Sequence, residues 1–355
     1  MGDIQIDSMF DSLLMFVTIE NVGPRNMITE QLIDRWTTGK WAVIRKRILA
    51  NPRKMFAILK DHPEIGGCID LRGLVFVENP KDSRPLILRR LNWESVDLSY
   101  ADLRGTWWTK CNVKGSLFSR TDFREVHIEA SNFSDCIFSR CDFRDAYLNT
   151  SRWSESGSFE NVMFHRSNLC RVIFGFPILR DCSFENCKLS TTHFSASQFY
   201  NTKFVGSIES VFFQGKLDPP LSWFEKLIYA KKKYSIFNPM ENVDFSQAEL
   251  KGLSFLNGID LRQCKFPKGD NYLLVTNPAR TYKIAAELVR NTWHAEEQRH
   301  ALILIKIYNA NESHGKPVYF IDISLPSDNG KRLDLGRKFF ETLRGAMALE
   351  SKERH

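Results

Sequence analysis

No apolar run in this 355-residue sequence is long and uncharged enough to read as a membrane span. The opening segment Met9 to Ile19 is apolar, yet Asp3, Asp7, Asp11 and Glu20 surround it and no basic residue precedes it. It therefore fails the pattern of a signal peptide and reads as a capping segment. The common catalytic signatures are missing too. There is no Gly-x-Ser-x-Gly elbow, and Thr37-Thr38-Gly39-Lys40 lacks both the preceding glycine and the following Ser or Thr of a phosphate loop. His294 and His300 bracket Glu296 and Glu297, but their spacing sets them about 120° apart on a helix, too far round to share a metal. His127, His165 and His193 are scattered along the chain. These absences imply no enzyme, no cofactor, no metal and no small-molecule substrate.

Through the middle of the chain neither ordinary period of secondary structure is present. From Leu88 to Phe204 a large apolar residue returns at every fifth position, as in Leu88, Trp93, Leu98, Leu103, Trp108, Val113, Phe118, Phe123, Ile128, Phe133, Phe138, Phe143, Leu148 and Trp153. One inserted residue near Gly157 shifts the frame, which resumes at Phe159 and Phe164. A period of five matches neither the helix nor the strand, so neither could keep this face buried over such a length. The chain must turn a corner at each repeat. Two positions before each large residue sits a slim one, for example Val96, Ala101, Thr106, Cys111, Ser116 and Thr121. Both point inward, and the other three positions face water. Four sides make a coil of roughly twenty residues, and stacked coils pair backbone to backbone at roughly 4.8 Å.

These repeats, standing as VDLSY, ADLRG, TDFRE, SNFSD, CDFRD, SNLCR, VDFSQ and AELKG, closely resemble the pentapeptide repeat family, whose motif is approximately A(D/N)LXX. Flanking pieces at CIDLRGLVF and IDLRQCKF extend the likeness. The resemblance implies an all-β solenoid, a right-handed quadrilateral β-helix. Of the eight cysteines, Cys111, Cys136, Cys141, Cys182, Cys187 and Cys264 fall on the slim inward position. There they act as small buried hydrophobes, and reduced thiols imply a cytoplasmic protein.

The flanks divide the chain further. Residues 1–64 read as a helical basic cap and 65–205 as the repeat coil, with Asn79 to Pro85 as a polar loop after the first turn at Leu71 and Phe76. Residues 206–241 read as an insertion, 242–267 as the last coils and 268–355 as a C-terminal helical or α/β cap. In the basic cap, Trp41, Ile44, Ile48 and Leu49 recur at helical spacing, which predicts an amphipathic helix on the open end of the coil. Within the insertion a helix is expected from Ser222 to about Tyr234. Past the coil, helices are expected over Ala279 to Trp293, Glu296 to Asn309 and Leu335 to Leu349. The Ile-rich string Leu302 to Tyr308 could instead be a strand pairing with Val318 to Leu325.

Two surfaces stand out for function. Between Arg35 and Lys60 lie eight basic residues and no acidic one, in a chain whose net charge is +7. Arg45, Lys46, Arg47, Arg53 and Lys54 are the candidate contacts to nucleic acid or an acidic partner. The inserted helix carries Trp223, Phe224, Leu227, Ile228 and Tyr234, with Lys231, Lys232 and Lys233 as a charged rim, and is the candidate element for binding a protein partner. Some members of the family imitate a DNA duplex and protect a topoisomerase, which needs a strongly acidic surface. Residues 85–205 hold 15 Lys and Arg against 13 Asp and Glu, so this rod is not acidic. A protein-interaction scaffold is the reading the sequence favours, with nucleic-acid or topoisomerase association as the alternative.

Overall fold

The computed structural model describes residues 25–59, 64–76, 85–155, 157–215, 238–269, 272–312, 318–322 and 330–352. From Cys68 to Phe266 the chain winds into a parallel, four-walled β-solenoid. We name each wall by its first residue. The Cys68 wall has seven parallel strands, extended to an eight-stranded sheet by the antiparallel Glu64–Ile65, and the Asn92 wall is an eight-stranded sheet. The Ile87 wall begins with the strands at 87–89, 107–109 and 127–129 and continues through isolated bridges at Tyr147, Asn168 and Lys188. The Asp102 wall begins with bridges at Asp102, Asp122 and Asp142 and becomes a four-stranded sheet.

Most strands are three residues long, with the middle side chain buried and its neighbours turned outward, as in Asn112–Lys114. The turn at the end of each side is made by backbone in the left-handed region. Arg90, Ser95, Tyr100, Lys110, Arg120, Glu125 and Ala130 all have φ between 47° and 62°. This conformation is unfavourable for a residue with a Cβ, by roughly 1–2 kcal/mol each, and persists because the inward residues on both sides of the corner are buried in the shared core. The frame shift is visible in the register. Phe118 pairs with Phe138, twenty residues on, but Phe138 pairs with Phe159, twenty-one on. The extra residue lies beside Gly157, where a Cβ would approach the Cys136 carbonyl oxygen to 3.0 Å.

Stacking of equivalent coils turns the period into columns of rings. Phe123, Phe143, Phe164, Phe184, Phe204, Phe245 and Phe266 follow one another with centroids 4.5–5.5 Å apart. A second column runs through Phe133, Trp153, Phe174, Phe194, Phe213 and Phe255.

The repeat also runs further than the sequence suggests. The strand Lys203–Glu209 crosses the expected break at Gly206 and pairs with Asp244–Lys251. Ile208 and Phe213 are buried, so residues 206–215 belong to the coil, and the spacing is merely one residue short between Phe204 and Ile208. The chain then leaves the corner after Gly215 and returns at Asn238. The expected helix from Ser222 to Tyr234 lies outside the described residues.

The N-terminal cap is helical. It comprises α1 (Arg25–Asp34), α2 (Gly39–Ala50) and the short α3 (Met55–Ile58). As expected, Ile48 is buried, with Trp41, Ile44 and Leu49 packed against the solenoid core. Trp36 is fully buried and meets Trp41 edge-on at 5.0 Å. Gly73 permits the close approach of α1, because its φ is +71° and a Cβ there would lie 2.5 Å from the Leu32 backbone.

At the other end the chain forms a second core from α4 (Pro278–Thr292), α5 (Ala295–Glu312), α6 (Gly330–Lys352) and an antiparallel strand pair. The strand Val318–Asp322 exists, but it pairs with Tyr272–Thr276 and not with Leu302 to Tyr308. The latter string is helical, with Glu296 and Glu297 in the first turn of α5 and Ala301 and Ile305 buried one turn apart. Phe320 from the strand pair stacks on Phe266 at 5.0 Å, extending the phenylalanine column into the cap. None of the described helices is long and apolar enough to cross a membrane.

Candidate interaction surfaces

The first coil exposes a parallel-sheet edge whose carbonyls have no preceding coil to satisfy them. The basic cap supplies the donors. Trp36 Nε1 and Arg35 Nη2 donate to the Arg72 carbonyl at 2.8 and 2.7 Å. Arg45 Nε donates to the Val75 carbonyl at 2.8 Å, and Arg53 Nε to the Arg89 carbonyl at 3.0 Å. Two of the five candidate nucleic-acid residues, Arg45 and Arg53, thus close a strand edge that would otherwise be open to pairing with another chain. Lys46, Arg47 and Lys54 are exposed.

Arg35, which the sequence reading counts only as part of the basic run, grips Asp70 with two hydrogen bonds at 2.7 and 2.9 Å. Arg72 holds the same carboxylate from the other side at 3.0 Å. Burial alone would raise the pKa of Asp70, but the hydrogen bonds from Arg35 and Arg72 outweigh it and hold the carboxyl well below the usual range. Asp97 stands in register with Asp70 on the next coil. There burial dominates and the pKa is raised, opposed mainly by hydrogen bonding to Ser99. The two neighbouring carboxylates therefore respond to acid in opposite directions.

The outer walls carry vertical rows with one side chain per coil. On the Asp102 wall, Arg104, Arg124 and Arg144 each clamp the Asp two residues before them, with closest approaches of 2.6 Å. Arg104 and Arg124 also lean toward the Asp of the following coil at 3.5 and 3.9 Å. The Asp-x-Arg triplet that makes this row recurs at 70/72 and 260/262, and it is readable in the sequence once the triplet rather than the pentad is followed. On the Ile87 wall the first outward residue of each strand is apolar or aromatic, and the second is Arg89, Thr109 or Glu129. Ile87 is 51% exposed and Trp107 43%. The Trp107 ring packs on His127 at 4.8 Å, and His127 stacks on Tyr147 at 4.3 Å. The Asn92 wall carries a smaller pair, His193 on Phe212 at 4.5 Å.

The interior holds its polar groups in an equally regular way. Cys111, Cys136, Cys141, Cys182 and Cys187 each turn the thiol toward the carbonyl twenty-three residues earlier, at 3.0–3.6 Å. Thr121, Thr192 and Ser197 place hydroxyls in the same way. The slim position thus selects a small donor as well as a small volume. Burial pushes the thiols of Cys136, Cys141, Cys182 and Cys187 up to about 12, so they stay neutral and unreactive at ordinary pH. The large tryptophans use the slim position too. Trp108 Nε1 donates to Thr106 Oγ1 at 2.9 Å and Trp153 Nε1 to Ser151 Oγ at 2.8 Å. Trp93 has Leu91 in that place, and its buried N–H has no partner.

Trp223, Phe224, Leu227, Ile228, Tyr234 and the lysines 231–233 lie outside the described residues. The last described strand before them, Phe212–Gln214, belongs to the Asn92 wall, and after them Glu241 bridges to Tyr200 on the Cys68 wall.

The family model for pentapeptide repeats matches residues 97–135 in eight copies. No curated protein matches the sequence significantly. Among solved structures, a trypsin-treated form of QnrB1, a plasmid-mediated fluoroquinolone resistance protein, is 13% identical over 51% of this chain and 79% of its own, with a TM-score of 0.24. HetL, a pentapeptide repeat protein involved in heterocyst differentiation regulation from the cyanobacterium Nostoc sp. strain PCC 7120, is 16% identical over 52% of this chain and 90% of its own, with a TM-score of 0.19. Rfr23 from the cyanobacterium Cyanothece 51142 is 17% identical over 38% of this chain and 87% of its own, with a TM-score of 0.16.

Proposed function

We propose that this chain, whose residues 97–135 match the model for pentapeptide repeats, is a non-enzymatic scaffold for protein–protein interaction. The observation that carries this reading is the row of outward rings on the Ile87 wall, with Trp107 43% exposed at its head. Aromatic residues are the type most enriched at interface hot spots, and a solenoid presents them in a straight row on a stiff support. Residues 216–237 are flanked by Gly215 and Asn238, which hydrogen-bond to each other at 2.9 Å, and insertions between coils often form the binding face. Among them Trp223, Phe224, Leu227, Ile228 and Tyr234 are the proposed partner-binding residues, with Lys231, Lys232 and Lys233 at the rim.

A role as a DNA imitator fits less well. Imitating phosphates requires a surface of unpaired anions, whereas Asp102, Asp122 and Asp142 are each held by their own arginine.

Affinity capture from the native host tests the proposal, comparing the full chain with one lacking 216–237. The deletion stops short of Ile208 and Phe213 because both are buried in the coil. Changing Trp223 and Leu227 to Ala is expected to abolish capture while the unfolding midpoint barely moves. Intact capture, scaled to folded protein, with a large loss of stability would assign the segment to the fold alone.

A further inference from the structure

We propose that the corner where the basic cap meets the Ile87 wall binds single-stranded nucleic acid, with cations on the phosphates and Trp107 against a base. The hydrogen bond from Arg53 Nε to the Arg89 carbonyl brings Arg53 and its neighbour Lys54 to the edge strand Ile87–Arg89. Arg89 and Arg90 continue the positive surface, and both are exposed. Arg90 and Lys110 occupy equivalent corners of successive coils, each with φ 54°, and the Arg90 N–H donates to the Thr109 carbonyl at 2.9 Å. Lys110 is exposed as well. Among the described residues no carboxylate forms an ion pair with Arg53, Lys54, Arg89, Arg90 or Lys110.

The same wall sets Ile87 and Trp107 beside these cations, and the described ring row ends at Trp107. Uncompensated cations flanking an exposed aromatic ring are the combination by which proteins hold single strands, where charge follows the backbone and the ring contacts an unstacked base. A duplex offers no free base to Trp107. A polyanion without bases, such as polyglutamate, would use the cations and leave the ring unused. None of the residues invoked belongs to 216–237, so deleting that segment in protein capture does not decide it.

The test is fluorescence anisotropy of the full chain with a labelled oligothymidylate across a salt series. Binding at low salt is expected to weaken with a log–log slope of about −0.7 per phosphate contact. Arg90→Asn and Lys110→Asn, which tolerate the left-handed corner, should each reduce the magnitude of the slope by about 0.7. Trp107→Ala should weaken binding about tenfold at every salt and leave the slope unchanged. Trp107→Leu keeps apolar volume on the wall and should weaken binding similarly, so that loss of folding is not mistaken for loss of contact. Arg124→Ala, on another wall, should have no effect. The proposal is overturned by absence of binding at low salt, by a slope indifferent to Arg90→Asn and Lys110→Asn, or by tighter binding to a duplex or to polyglutamate.

Discussion

Both ends of the solenoid are covered by apolar side chains, but they differ in how much polar closure they add. At the first coil, arginine and tryptophan N–H groups from the cap fill the carbonyls of Arg72, Val75 and Arg89, and the Arg35–Asp70–Arg72 cluster locks the contact. At the last coil, Phe320 continues the phenylalanine column, meeting Phe266 at 5.0 Å and Phe255 at 5.6 Å. A polar closure depends on ionisation and on salt, whereas a stacked ring depends on neither. The comparison shows why a protein built of near-identical coils needs two dissimilar caps. The exposed edge presents backbone groups, and only side-chain donors or another strand can satisfy them. The exposed column presents ring faces, and only apolar area can cover them.

The largest effect is expected in the column itself. Phe143→Asp places an unpaired charge at a fully buried position and should lower stability by more than about 4 kcal/mol in urea unfolding. Phe320→Asp carries the same defect to the end of the column, where the side chain is 5% exposed, and should cost about 3 kcal/mol with little dependence on salt. A silent Phe320→Asp would remove ring stacking as the means of closing that end. At the polar end, Asp70→Asn should cost more than about 2 kcal/mol at neutral pH, because it leaves Arg35 and Arg72 without their anion. Since the Asp70 pKa is lowered in the folded state, its contribution is full above the ordinary carboxylate range and fades as pH falls below it. Wild type and variant should therefore converge in acid.

Asp97 sharpens the contrast by its opposite sign. Its raised pKa means that the charged form is penalised by folding, a penalty present above the folded-state pKa and relieved in acid. Asp97→Asn keeps an acceptor for the Ser99 N–H and should raise the unfolding midpoint slightly at neutral pH, with no gain in acid. The smallest effect separates two tryptophans of one wall. Trp153→Phe forfeits the bond to Ser151, while Trp93→Phe removes a buried N–H that has no partner. The first should cost about 1 kcal/mol more than the second. Equal losses would mean that the slim residue does not serve the indole.

Much of this architecture was legible because every coil buries one large and one slim residue at fixed spacing, and burial is what a single sequence displays best. The frame shift near Gly157 and the stack of Phe123, Phe143 and Phe164 follow from that spacing alone. The corners are hidden, since their left-handed residues include Arg90, Tyr100, Glu125 and Phe176, none of a type that announces positive φ. Ile208 and Phe213 escaped because one side of that coil is a residue short. The helix expected over Glu296 to Asn309 is present, but the strand Tyr272–Thr276 is too brief to show a period, so the sequence offers Val318–Asp322 only Leu302 to Tyr308 as an alternative neighbour. For the candidate surfaces, charge was readable and its use was not. Nothing local separates Arg45 and Arg53, which reach strand-edge carbonyls, from Lys46, Arg47 and Lys54, which stay in solvent. The aromatic row on the Ile87 wall occupies outward positions that the pentad frame identifies, but its stacking depends on coil register.

Amide hydrogen exchange of the native protein, followed residue by residue from neutral pH into acid, tests the unequal closure most directly. Ile69, Leu71 and Gly73, whose N–H groups donate to the second coil beneath the cap, should lose protection first as Asp70 is neutralised. Leu273 to Thr276, in the strand pair that carries Phe320, should keep theirs until the whole coil opens. Simultaneous loss at both ends, or earlier loss at Leu273 to Thr276, would contradict the account.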